Sequence, residues 1–163
     1  MRSSLRSLML AAALCAGAGG AVAQTFPAFH FRGLDGQTRV SSDLKGKVVV
    51  VNFWFTACAP CVAEIPELNR LSESFRGQDV VFLAPAFDQK EPLKAFLAKH
   101  PFSYQVVLFE QDKPENYFPN GQLAFPMHVV IDRDGRLVYR AVGDIKPRDL
   151  QRAISTALGK GNT

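Results

Sequence analysis

Cysteine is scarce in this chain, and the scarcity excludes more than any abundance suggests. Three cysteines among 163 residues, Cys15, Cys58 and Cys61, rule out a small scaffold held by several disulfides. A second Cys-x-x-C is missing, and the spacings of His30, His100 and His128 match no common zinc pattern, which argues against structural zinc. Beyond residue 23 no apolar run approaches the roughly 20 residues of a membrane-crossing helix. Charge is thin too, at 21% of residues, with no concentrated basic stripe of the kind a nucleic-acid binder carries. Repeats, low-complexity stretches and inter-domain linkers are absent. What remains is 47% hydrophobic, a balance that suits one globular domain.

The first 23 residues read as an address. Met1 to Ser7 carry Arg2 and Arg6 and no acid, the next nine residues are almost wholly apolar, and Ala21-Val22-Ala23 has the small-x-small form of a signal-peptidase site. A secretory signal over 1–23, cleaved after Ala23, is expected. Cys15 leaves with it, since Leu14 is too large for a lipoprotein box. One domain, 24–163, then carries 17 basic and 15 acidic residues and holds only Cys58 and Cys61 as thiols.

Val48–Phe53 is a continuous, mostly β-branched run, which predicts a strand covered on both faces. Val80–Phe87 and Tyr104–Phe109 read alike. Between them Asp88 and Glu91 are placed for a capping box, followed by Leu93, Phe96 and Leu97 at helical spacing. Such alternation predicts parallel βαβ crossovers. Asp134-Gly135 between Val129–Asp132 and Leu137–Val142 signals a hairpin, and Asp35-Gly36 between Phe29–Phe31 and Thr38–Val40 signals another near the front. Pro147 opens a final helix with Leu150, Ala153, Ile154, Ala157 and Leu158 on one face. The expected fold is an α/β sandwich: a mixed central sheet, helices on both faces, and an N-terminal β-hairpin.

The chemistry concentrates at Cys58-Ala59-Pro60-Cys61. A buried strand runs directly into this motif, and an amphipathic helix follows with Val62, Ile65, Leu68, Leu71 and Phe75 at helical spacing. Cys58 therefore falls at a helix N-terminus, where unpaired N–H groups and the helix dipole favour a thiolate. Pro60 sits in the first turn, where a missing N–H costs little. At 100° per residue Cys61 shares the apolar sector and is expected to be buried, with Cys58 at its edge as the exposed nucleophile. Glu64, one turn beyond Cys61, projects close to the same sector and is expected to be partly desolvated. Pro66 is expected to kink the helix. A disulfide this short constrains the unfolded chain little, so stability is a poor reason for the pair. Two soft sulfurs could also hold Cu(I), making the chain a copper-binding assembly module.

Strand, Cys-x-x-Cys at a helix start, and Phe125-Pro126 before a later strand together resemble the thioredoxin superfamily. Lys47–Trp54, Glu64-Ile65-Pro66-Glu67-Leu68 and Ile131-Asp132-Arg133-Asp134-Gly135 resemble its TlpA/ResA group of exported thiol–disulfide oxidoreductases. The resemblance runs from about Phe26 to Leu158. It implies a thioredoxin-like three-layer sandwich and a protein-disulfide reductase with no cofactor and no metal. Cys58 is then the attacking cysteine, Cys61 the resolving one, and Glu64 the group that tunes or carries the buried thiol's proton. Pro126 is implied to be cis and to face the sulfurs, and the implied substrate-binding residues are Phe125, Pro126, Trp54 and Pro60. The implied partners are disulfide-bearing exported proteins, as in cytochrome c or oxidase biogenesis, and a membrane thiol reductase of the CcdA/DsbD type as electron donor. The implied setting is the periplasm, and the implied state a monomer. Asn52 stands where cytoplasmic thioredoxins carry a buried aspartate, and Ala57 where a tryptophan is common. A thiol peroxidase of the same fold is disfavoured by Phe55, which occupies the usual threonine position. His128 reads as a packed strand histidine.

Overall fold

The computed structural model describes residues 24–111 and 113–159; the expected signal over 1–23 lies outside them. Among these residues seven strands form one sheet: β1 (His30–Gly33), β2 (Thr38–Val40), β3 (Val48–Phe53), β4 (Val80–Ala86), β5 (Gln105–Phe109), β6 (Met127–Ile131) and β7 (Leu137–Val142). Their spatial order is β2-β1-β5-β4-β3-β6-β7. The β3–β4 and β4–β5 pairs are parallel and the other pairs antiparallel, so the sheet is mixed as expected. Both expected hairpins form, β1–β2 and β6–β7. In the second, the Asp132 carboxylate accepts the N–H groups of Asp134 and Arg136, at 3.0 and 2.9 Å, and Gly135 takes φ 83°, a region open to glycine.

The described residues also form three α-helices: α1 (Ala59–Ser74), α2 (Lys90–Leu97) and α3 (Pro147–Gly159). Two successive parallel crossovers running the same way along the sheet place α1 and α2 on one face. Side-chain parity agrees. Val48, Val50 and Phe82 pack with Leu68 and Leu71 of α1 and Leu150 and Ile154 of α3, while Ala84, Ala86, Val106 and Leu108 pack with Leu93 of α2. The opposite face buries Val49, Val51, Phe53, Val107 and Val129 under Phe26, Phe29, Tyr117 and Phe118. Helical cover there is confined to short 3-10 turns, including Pro114–Tyr117. Every residue of β3 is buried, because strands and helix or aromatic layers enclose it on all sides. That strand aims the functional loop.

Asp88 departs from its expected role. The residue before α2 is Gln89, with no side-chain cap, so the Asp88–Glu91 capping box does not form. The Asp88 carboxylate turns instead to Thr56, accepting its backbone N–H at 2.9 Å and its hydroxyl at 2.5 Å. The two donors of Thr56 offer that carboxylate more than a single cap bond would.

Candidate active site

The loop that carries the cysteines inherits its position from the sheet. Beyond β3, Trp54 continues parallel pairing with β4: its N–H donates to the Pro85 carbonyl at 3.3 Å and its carbonyl accepts from Phe87 at 3.0 Å. Asp88 then pins Thr56, and the Cys58 N–H donates to the Phe55 carbonyl at 3.1 Å. Strand, anchor and turn thus deliver Cys58 to the N-cap of α1, where its sulfur accepts the Cys61 N–H at 3.3 Å. Pro60 lies in the first helical turn. Cys58 and Cys61 form a disulfide with Cα atoms 5.2 Å apart. Asp88→Ala is expected to destabilise the domain by about 1–3 kcal/mol in urea titration, since two Thr56 donors lose a charged acceptor. Thr56→Ala added to that variant should cost little more, because both changes remove the same contact.

Helix phase holds for the buried side. Cys61, Ile65, Leu68, Leu71 and Phe75 are all buried, and α1 runs on through Pro66. The expectation of an exposed Cys58 is corrected: the residue is 5% exposed, against 1% for Cys61. An N-cap position at the end of a buried strand tucks it beneath neighbours such as Trp54 and the partly buried Phe55 and Phe125. Ala57, Ala59 and Pro60, by contrast, are exposed and form the rim around it.

Trp54 is likewise corrected as a substrate-binding residue. It is 0% exposed, packed on Phe96 and Phe102 at ring-centroid distances of 5.5 and 4.8 Å, and its indole N–H donates to the Ala84 carbonyl at 3.3 Å. The helix-side parity of β3 directs it into the core rather than toward the rim. The Phe125-Pro126 peptide bond is cis, and Pro126 is buried at the head of β6. Phe125 sets its ring among Phe55, Phe87 and Phe118, with centroids 5.1, 4.8 and 5.2 Å away, so a bulky residue is accommodated by an aromatic cluster. Pro60 lies between the two cysteines in sequence and is exposed.

Behind Cys61 lies a buried polar group that sequence reasoning located only in part. Glu64 is 7% exposed, and its Oε1 accepts the Ile145 N–H. Its Oε2 lies 3.1 Å from His128 Nε2. Asn52, directly opposite His128 in the β3–β6 register, has its amide nitrogen 3.4 Å from the Tyr104 hydroxyl. Burial chiefly, and the Glu64 charge secondarily, hold the Tyr104 phenol well above its usual range, while the Asn52 contact pulls the other way. His128 is thus packed in a strand, as expected, but it is also the neighbour of Glu64. Its even-numbered place opposite Asn52 was a usable signal, since residues paired across a ladder share a face.

A cleft of about 230 Å³ lined by Phe26, Leu44, Val49 and Ile131 lies at the start of β3 and takes no part in this site. Among the described residues no group of three or more His, Cys, Asp or Glu side chains is arranged to hold a metal.

Residues 21–157 match the family model described as Redoxin. The chain is 31% identical over 137 residues to the thiol-disulfide oxidoreductase ResA of Geobacillus kaustophilus, covering 83% of this chain and 78% of that protein. It is 31% identical over 126 residues to ResA of Bacillus cereus, covering 77% and 72%. Its fold is similar to the crystal structure of a thiol:disulfide interchange protein of the thioredoxin family from Chlorobium tepidum, with TM-score 0.73, 28% identity and coverage of 86% and 99%.

Proposed function

The chain belongs to the Redoxin family, as a TlpA/ResA-like thiol–disulfide oxidoreductase of the thioredoxin superfamily, and on that premise we propose that it is an exported reductase of particular extracytoplasmic proteins. The observation that carries the proposal is the cysteine pair at the start of α1, with the Cys58 sulfur itself capping the helix. A helix N-terminus stabilises negative charge on that sulfur, and the thiolate is the form that attacks disulfides. Cys58 opens the substrate disulfide and forms a mixed disulfide, which Cys61 then resolves. Glu64 holds the proton of the Cys61 thiol. Phe125 and Pro126 offer backbone to an extended substrate, and Pro60 lines the rim.

Electrons reach Cys58–Cys61 from a membrane thiol reductase of the CcdA/DsbD type. The protein acts as a monomer in the periplasm after cleavage at Ala23, and its substrates are disulfide-bearing exported proteins such as those of cytochrome c or oxidase assembly. Among the described residues no helix is long and apolar enough to cross a membrane.

The experiment is capture. Cys61→Ser leaves the mixed disulfide unresolved, so exported proteins should remain covalently bound through Cys58 and be identifiable after purification. Recovery of no covalent partner from cells making this variant would overturn the substrate reading. In the reduced protein near neutral pH, Cys58 should alkylate at least about ten times faster than Cys61, given its helix-start position. Equal rates, or faster labelling of Cys61, would overturn the division of labour.

A further inference from the structure

Among the described residues, four of the buried polar atoms that have no hydrogen-bond partner fall on three residues: Asn52 Oδ1, Glu64 Oε2 and both ring nitrogens of His128. Buried polar atoms are ordinarily paired, and a cluster of exceptions calls for a reason. Glu64 Oε2 and His128 Nε2 approach to 3.1 Å, yet the contact lacks hydrogen-bond alignment. The side chains are 8% and 1% exposed. An acid and a base lie side by side, out of water, and not locked to one another. They can exchange a proton with a third group.

The third group is Cys61. It lies three residues before Glu64 on α1, hence on a neighbouring turn of the same face, and it too is buried. We propose that His128 is a positioning residue for the second thiol exchange, joining Glu64 in a two-group proton store that takes the proton of the Cys61 thiol. The proposal rests on the dithiol reading above and goes beyond the role given there to Glu64 alone.

The reason for two groups is charge. A lone carboxylate that takes the thiol proton leaves one negative charge buried throughout, first on oxygen and then on sulfur. Unpaired buried charge is heavily penalised. Glu64 and His128 with one proton between them are uncharged together. When they accept a second proton from Cys61, their positive charge faces the new thiolate, and the three groups remain neutral in sum. The step balances without any added oxidant. The Cys61 sulfur bonds to Cys58 Sγ, the bond from Cys58 to the substrate sulfur breaks, and the electron pair leaves on the substrate thiolate. That thiolate takes up a proton from solvent, and the store returns its extra proton to solvent.

The surroundings leave these groups to one another. Asn52 on β3 and the Tyr104 hydroxyl before β5 are the polar neighbours on the sheet side. Across β7 the partner of His128 is Ala141; the next pair sets Arg140 opposite Val129, on the other face, and the one after it sets Tyr139 opposite Val130. On the α3 side Leu150 and Ile154 are apolar, and Asp144 and Lys146 flanking Ile145 are exposed.

The test uses the reduced protein and an aromatic disulfide, dithiobis-nitrobenzoate, in stopped flow. Attack by Cys58 releases the first coloured thiolate, and resolution by Cys61 releases the second. His128→Gln should slow the second release about 100-fold and flatten its profile between about pH 5 and 9, while leaving the first release within about two-fold. Glu64→Gln should do the same, and the double variant should be no slower than the slower single one, as for groups acting as a unit. A second release in His128→Gln at the wild-type rate and pH profile would overturn the proposal, as would multiplicative effects in the double variant. Absence of the first release in the wild type would instead sink the dithiol reading itself. Should His128→Gln fold poorly, the wild type decides: the nitrogen-15 signals of the His128 ring should differ between disulfide and dithiol forms and move on Glu64→Gln. Signals identical in both redox states would overturn the proposal, with the exposed His30 and His100 as internal controls.

Discussion

Cys58→Ala is expected to reduce disulfide turnover to the rate of the reductant alone, the largest functional effect foreseen for any single change. The N-cap position makes Cys58 the sulfur whose anion the helix start stabilises. Cys61 retains its thiol in this variant, but it sits deeper, at 1% exposure, and lacks that placement. Alanine at an N-cap also forfeits the side-chain acceptor for the Cys61 N–H, at a cost of about 1 kcal/mol. Cys58→Ser restores an acceptor without restoring a thiolate. Turnover should therefore be equally absent in both variants, while Cys58→Ser should recover part of any lost stability. Measurable turnover by Cys58→Ala in an insulin-reduction assay would reassign the nucleophile.

Trp54→Ala is expected to have the largest effect on stability, about 3–5 kcal/mol by the usual cost of truncating a buried aromatic. Trp54 is wholly buried, packed against the tilted rings of Phe96 and Phe102, and hydrogen-bonded to Ala84 in the strand beside it. It also continues the pairing that carries β3 toward the cysteines. For a domain of this size such a loss lowers the melting temperature by about 10–20 °C. A substrate-contact role would give another pattern: raised KM with an unchanged melting temperature. Calorimetry beside steady-state kinetics separates the two, and an unchanged melting temperature would return Trp54 to the rim.

The contrast between Trp54 and Leu68 shows where linear reading succeeds. Leu68, Leu71, Leu150 and Ile154 were legible as core because helical periodicity places them on one face, whatever the partner. The hairpin turns at Asp35-Gly36 and Asp134-Gly135 were legible because their backbone geometry is local. Trp54 stands at a strand end next to the motif, where sequence adjacency alone does not distinguish rim from core. Asp88 is the same lesson in reverse. Its spacing to Glu91 suits a cap, but Thr56, 32 residues away, offers two donors.

What the amino-acid sequence determined by itself was therefore everything with a short period: the strands, the three helices, both tight turns, and the placement of Cys58-Ala59-Pro60-Cys61 at a helix start. Local backbone preferences and hydrophobic repeats encode these within a dozen residues. Helical phase already set Glu64 one turn from Cys61, and tertiary structure alone decided which groups join it. Glu64 of α1, Asn52 of β3, Tyr104 and His128 of β6 come from four separate stretches. Only sheet register sets Asn52 opposite His128, and only packing of α1 on that sheet brings Glu64 to the imidazole. No periodicity within one segment can encode a distance between segments, because that distance follows from the pairing of whole strands and the seating of a helix across them.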